Sequence, residues 1–174
     1  VRWVLLLRGI NVGTAKRMPM AELRAMLERL GFEDVKTLLN SGNAVFSAPS
    51  TSASRLTASI GQAVVSTFGF SSKCFVLSGR DLETIARENA LADRTDNDSR
   101  LVVAFLPDGL SAKVAALVGR RWGDEALAVG SRAAYLWCPG GIAVSPLVET
   151  VGRALGTDVT MRNWATVKKI RNVL

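Results

Sequence analysis

Arg8, Asn11, Asn40 and Asn43 stand beside glycine-containing turns and carry groups that hold anions. An arginine guanidinium presents a rigid fork of donors matched to phosphate or carboxylate. Asparagine carboxamides donate to an anion or orient a water. Ser41 adds a hydroxyl, and Lys16 and Arg17 add positive charge just before Pro19. In Arg8-Gly9-Ile10-Asn11-Val12-Gly13 the two glycines allow backbone angles that turn amides toward a guest. The chemistry these groups suit is capture of a phosphate, carboxylate or phosphodiester. Turn formation alone also accounts for Asn and Gly at such places, with Arg8 bonding loop carbonyls or a carboxylate.

A second set lies near the end of the chain. Arg162, Asn163 and Lys168 surround Trp164. Asn163 suits the cap of a last helix, and Trp164 suits its anchor in a core. The expectation is that this helix packs near the Arg8 loop, so that Arg162, Asn163 and Lys168 complete one basic cleft.

Much chemistry is excluded by residue type. The chain has no histidine, which removes His-dependent triads, His general bases and mixed Cys/His zinc sites. Cys74 and Cys138 sit in apolar runs and read as buried, reduced thiols. Residues 8–13 lack the Lys-Ser/Thr of a Walker loop and the third glycine of a dinucleotide fingerprint. Asp93, Asp96 and Asp98 lack the spacing of a calcium loop and read as a solvated connection. No metal or cofactor is implied.

The net charge is +7 over 174 residues, and it is unevenly placed. Arg2, Arg8, Lys16 and Arg17 occur in the first twenty residues without an acid, and Arg153, Arg162, Lys168, Lys169 and Arg171 follow residue 150 against Asp158. Such blocks suit anionic partners, from phosphorylated metabolites to RNA, or form a solvated basic surface. Apolar residues make up 48%, enough for a substantial core, and no run approaches a membrane span. The opening residues lack the order of a signal peptide, so a cytoplasmic protein is expected.

The elements that must position these groups follow from periodicity. Residues 3–7 are a buried strand, and Pro19 opens a helix with Leu23, Leu27 and Leu30 on one face, ended by Gly31. Val35 to Leu39 and Ala44 to Ala48 are strands about the turn 40–43. A helix from Ser52 to Phe68 and a strand from Lys73 to Leu77 complete βαββαβ. A short helix at 80–88 and a polar stretch at 89–99 follow. Strands at 101–106, 126–129 and 133–138, helices at 111–118 and 145–155, and a weak strand near Val159 repeat the order. A last helix runs from about Arg162, with Trp164, Val167 and Ile170 as its apolar stripe. The fold class is therefore α+β: two ferredoxin-like subdomains in tandem, 1–78 and 100–174, joined by 79–99, the second carrying a C-terminal helix, in one compact domain overall. In that topology the end of strand one, the end of strand two and the start of strand three share one sheet edge. Arg8 and Asn11 should then approach Asn40, Ser41 and Asn43.

The segments Arg8 to Gly13, Pro19-Met20-Ala21-Glu22-Leu23, Gly31-Phe32, Ser41-Gly42-Asn43, Leu155-Gly156 and Arg162 to Val167 together resemble domain-of-unknown-function family 1697, from Val4 to Ile170. The resemblance implies a cytoplasmic, mostly bacterial α+β protein of two ferredoxin-like subdomains, and no established activity. Three functions compete. One is binding of a phosphorylated small molecule, the reading favoured by a donor-rich loop without an evident base. Another is RNA binding, weakened because strand three offers Phe46 alone for stacking. The third is phosphoryl or acyl-phosphate hydrolysis similar to that of acylphosphatases, whose loop motif this chain does not match.

Overall fold

Five consecutive apolar residues, Trp3 to Leu7, make the heart of β1 (Arg2–Arg8). In this computed structural model, which describes residues 1–106 and 111–174 and only the backbone of Ser111, the chain then builds the same series twice. First come α1 (Met20–Arg29), β2 (Glu33–Leu38), β3 (Asn43–Ser47), α2 (Ala53–Phe68), β4 (Lys73–Ser78) and α3 (Gly79–Arg87). Then follow β5 (Leu101–Phe105), α4 (Ser111–Val118), β6 (Ala126–Val129), β7 (Ala133–Trp137), α5 (Pro146–Leu155), β8 (Thr160–Asn163) and α6 (Trp164–Arg171). The strand orders are β2-β3-β1-β4 and β6-β7-β5-β8, all neighbours antiparallel. Each is the ferredoxin-like order, so the α+β class with two tandem units holds. Among the described residues no helix is long and apolar enough to cross a membrane.

Two compact units result: Val1–Leu82 with Lys169–Leu174, and Glu83–Lys168. In the first, the pleat sends Trp3, Leu5 and Leu7 of β1 and Ala44 and Phe46 of β3 to the face covered by α1 and α2. Leu23, Met26 and Leu27 of α1 and Leu56, Ile60 and Val64 of α2 meet them there. Phe32 stacks on Phe46 with ring centroids 4.5 Å apart. Each fully buried Leu adds about 1.5–3 kcal/mol. The second unit repeats the design with Val102, Ala104, Val114, Ala134, Leu136, Leu147 and Val151.

The internal repeat reaches single hydrogen bonds. Leu7 N–H donates to Gly42 O at 2.8 Å, and Leu106 N–H donates to Arg132 O at 2.9 Å. Ala48 N–H donates to Val1 O, and Cys138 N–H to Arg100 O. The helix that follows each fourth strand is also repeated. Ser78 Oγ accepts from Asp81 N–H at 3.1 Å at the start of α3, and Asn163 Oδ1 accepts from Thr166 N–H at 2.8 Å at the start of α6. The last helix expected as an addition to the second half therefore has a counterpart in the first, and the repeating unit is βαββαβα.

Three local expectations change. Pro19 occupies the cap of α1 (φ −61°, ψ 134°) rather than its first turn, because its extended ψ lets its carbonyl accept from Glu22 and Leu23 N–H. The last helix starts at Trp164 rather than about Arg162, because Arg162 and Asn163 pair with β5 at the end of strand β8, and Asn163 keeps its expected place as the cap. The polar stretch 89–99 is not wholly solvated: Asp98 accepts from Lys168 Nζ at 2.7 Å and from Ala165 N–H at 3.3 Å. The cap expected from the Ser111 side chain lies outside the described residues.

Candidate functional site

The loop after β1 and the turn between β2 and β3 interlock at one end of the first sheet. Asn11 takes a left-handed backbone (φ 53°), which asparagine tolerates better than most residues. Its Nδ2 donates to Met18 O at 2.9 Å and to Asn40 O at 2.8 Å, while its Oδ1 accepts from Met18 N–H at 2.8 Å. Asn11 N–H closes the same loop onto Lys16 O at 3.0 Å. Gly42 (φ 84°) comes so close beneath the loop that a Cβ there would stand 2.7 Å from Leu7 Cβ and 2.8 Å from Ile10 Cδ1. Only glycine meets both demands. Asn11 and Asn40 thus meet as the topology predicts, and Asn11 spends its carboxamide on the backbone.

The pleat divides the remaining residues. Arg8 and Asn43 fall on the sheet face opposite α1 and α2, because they continue the alternation of Val4 and Leu6. Asn43 is fully buried, and its Nδ2 donates to Leu38 O and to Ser41 Oγ, both at 2.9 Å. Arg8 is half-buried opposite Lys73, and its carbonyl accepts from Ser72 Oγ at 2.9 Å. On the helix side, Asn11, Arg17, Met18, Pro19 and Asn40 line an open cleft of about 250 Å³. Lys16 and Arg17 are exposed, and neither side chain has a hydrogen bond or ion pair among the described residues. Met18 and Pro19 are lining residues that residue chemistry alone does not single out; their place between a basic pair and a helix start is the available signal.

Above the cleft stands the N-terminus of α1. Pro19 offers no side-chain acceptor, so the helix opens without a side-chain cap. Its leading amides carry partial positive charge, partly offset by Glu22 in the same turn. Arg17 and these amides both present positive charge to the cleft.

The second unit uses its expected residues differently. Asn163 caps α6, and Lys168 is paired with Asp98 across an exposed contact worth little in stability. Arg162 Nη1 donates to Thr160 Oγ1 at 2.9 Å and Met161 O at 2.8 Å, and burial pushes its pKa down to about 10, still cationic at neutral pH. A carboxylate site unforeseen from sequence lies at α5: Glu125 accepts from Ser145 Oγ and from Leu147 N–H, and Ser145 Oγ accepts from Val148 N–H at 3.1 Å. That double cap satisfies the helix start. Cys138 nearby is buried, and its thiol is pushed up to about 11, chiefly by burial. At neutral pH the thiol is therefore held in its protonated, less nucleophilic form.

Comparison with known proteins adds three findings. No curated protein matches the chain. The solved structure of the conserved bacterial protein SP0830 from Streptococcus pneumoniae is similar over 99% of this chain and 97% of that one, with a TM-score of 0.79 and 26% sequence identity. The model of a family described as protein of unknown function (DUF1697) matches residues 1–135, which takes in the Arg8 loop and the Ser41-Gly42-Asn43 turn but stops before Arg162. With most of its length covered, including the whole interlocked loop pair, the chain belongs to the DUF1697 family of proteins of unknown function.

Proposed function

We propose that the first unit binds the phosphate group of a small anionic molecule in the cleft between the β1–α1 loop and the β2–β3 turn. The observation that carries this reading is the conjunction of the exposed Arg17 guanidinium with an uncapped helix start over one open cleft. Asn11 shapes the cleft and Arg17 charges it. Lys16 adds long-range attraction from the rim. Hydrolysis by the Arg-plus-Asn scheme finds less support, because Asn43 is buried with its amide committed to Leu38 and Ser41. Titration calorimetry with nucleotides and sugar phosphates tests the proposal. Saturable heat that weakens with salt supports it, and silence across the panel defeats it.

A further inference from the structure

The outward N–H and C=O groups of an edge strand pair with any extended chain unless something blunts the edge. The edges of the two sheets are β2 and β4, and β6 and β8. Among the described residues three of these are blunted. β2 breaks its register between Glu33 and Lys36, holds Asp34 in a left-handed backbone (φ 49°) and carries Glu33, Asp34 and Lys36. β6 and β8 have only four residues each, and β8 carries Arg162. β4 differs. Its six residues, Lys73 to Ser78, pair with β1 in unbroken register and hold one charge, at the first position. Cys74, Phe75 and Val76 are half-buried.

The alternation of β1 shows which main-chain groups of β4 face out. Leu7 N–H turns toward β3, to Gly42 O, and Arg8 O turns toward β4, to Ser72 Oγ. Val4, Leu6 and Arg8 therefore bond Leu77, Phe75 and Lys73, their partners in register. Cys74, Val76 and Ser78 direct their main-chain groups away from the sheet. Ser78 N–H is taken by the Asp81 carboxylate at 3.3 Å. The N–H and C=O of Cys74 and Val76 have no hydrogen bond among the described residues.

Two open positions flanking one residue are complementary to themselves under a two-fold axis through that residue. We propose that β4 pairs antiparallel with β4 of a second copy of this chain, about an axis at Phe75. Cys74 then lies opposite Val76 of the second copy, and each such pair exchanges both N–H···O bonds. The two Phe75 rings meet in the central pair, on the sheet face opposite α1 and α2. The two Lys73 positions stand about 14 Å apart, beyond the Debye length of about 8 Å at physiological salt. Helix α2, which packs on β4, carries no charged residue after Arg55, and its Val65 is 49% exposed. The helix side of the joint thus adds no like charges from this half of α2.

Sedimentation velocity of the whole chain, from about 1 μM to about 1 mM, should show a dimer that fills as concentration rises. Val76→Pro removes an outward N–H without touching the ladder to β1, and Phe75→Lys sets like charges at the axis. Each should raise the dissociation constant at least about tenfold. Phe75→Cys should form a disulfide-linked dimer under mild oxidation, because opposed Cα atoms in the central pair stand about 4.5 Å apart. Lys36→Cys, on the exposed β2 edge, should not. A parent chain that stays monomeric throughout overturns the proposal, and so does a dimer that survives both variants in folded form. Equal cross-linking at positions 75 and 36 overturns it too, and this comparison decides alone if circular dichroism shows either variant unfolded.

Discussion

Asn11 Nδ2 donates to the Asn40 carbonyl at 2.8 Å, joining two loops that lie 29 residues apart in sequence. The same carboxamide holds Met18 by its N–H and its carbonyl. Asn11→Ala should therefore cost about 1–3 kcal/mol in urea unfolding, because backbone groups beneath the loop lose their partners. Arg17→Ala, on the same cleft but at a side chain without bonds among the described residues, should stay within about 0.5 kcal/mol of the parent. Equal stabilities for the two variants would remove the distinction between scaffold and contact residue.

Gly42→Ala should destabilise by roughly 2–4 kcal/mol, since it adds left-handed strain to an overpacked contact. The methyl would meet Leu7 Cβ at 2.7 Å, and Leu7 is a strand residue that cannot withdraw alone. The denaturant midpoint reads this directly. A neutral substitution would mean that the turn relaxes away from Ile10.

The first unit was largely legible because its signals are strong and local. Leucine spacing marks α1, the apolar run marks β1, and the βαββ order brings Asn11 to Asn40. Residue chemistry could not say that Asn11 and Asn43 spend their amides inside the fold, because an asparagine committed to carbonyls and one facing solvent read alike. Nor could it assign Arg8 and Arg17 to different faces until the pleat of β1 was fixed by Trp3, Leu5 and Leu7. β8 was faint because Thr160-Met161-Arg162-Asn163 is short and polar, and its pairing with β5 moved Arg162 out of the last helix.

The matched caps of α3 and α6 make a paired prediction. Ser78→Ala and Asn163→Ala should each cost about 0.5–2 kcal/mol by urea unfolding. The Ser78 variant also removes the Oγ donor that the Asp81 carboxylate accepts from at 2.8 Å, while the backbone N–H donor at 3.3 Å stays in place. A cost at one cap and none at the other would break the functional equivalence of the two helices.

Alkaline pH should weaken the fold. Burial holds the Cys74 and Cys138 thiols up to about 11 from the ordinary value of 9.0, with the Glu125 charge also raising Cys138 and the Ser145 bond opposing it. The folded chain then keeps protons that the unfolded chain has released. Stability is full below about pH 9 and falls as pH rises toward 11, at up to about one proton per thiol. Tyr135, buried with its hydroxyl donating to Ile85 O at 2.6 Å and near the Glu88 charge, shifts upward too and steepens the loss above pH 10. Urea midpoints measured from pH 8 to pH 11 check the slope, and thiolate absorbance in the folded protein checks its origin. A flat profile would place both thiols in water.

Binding of a phosphate ester to Arg17→Ala beside the parent chain, at low and moderate salt, tests the anion cleft most directly. The expected result is saturable heat for the parent, affinity at least about tenfold weaker for Arg17→Ala through the loss of a charge-assisted contact, and unchanged unfolding. Equal affinity of the two proteins would contradict it.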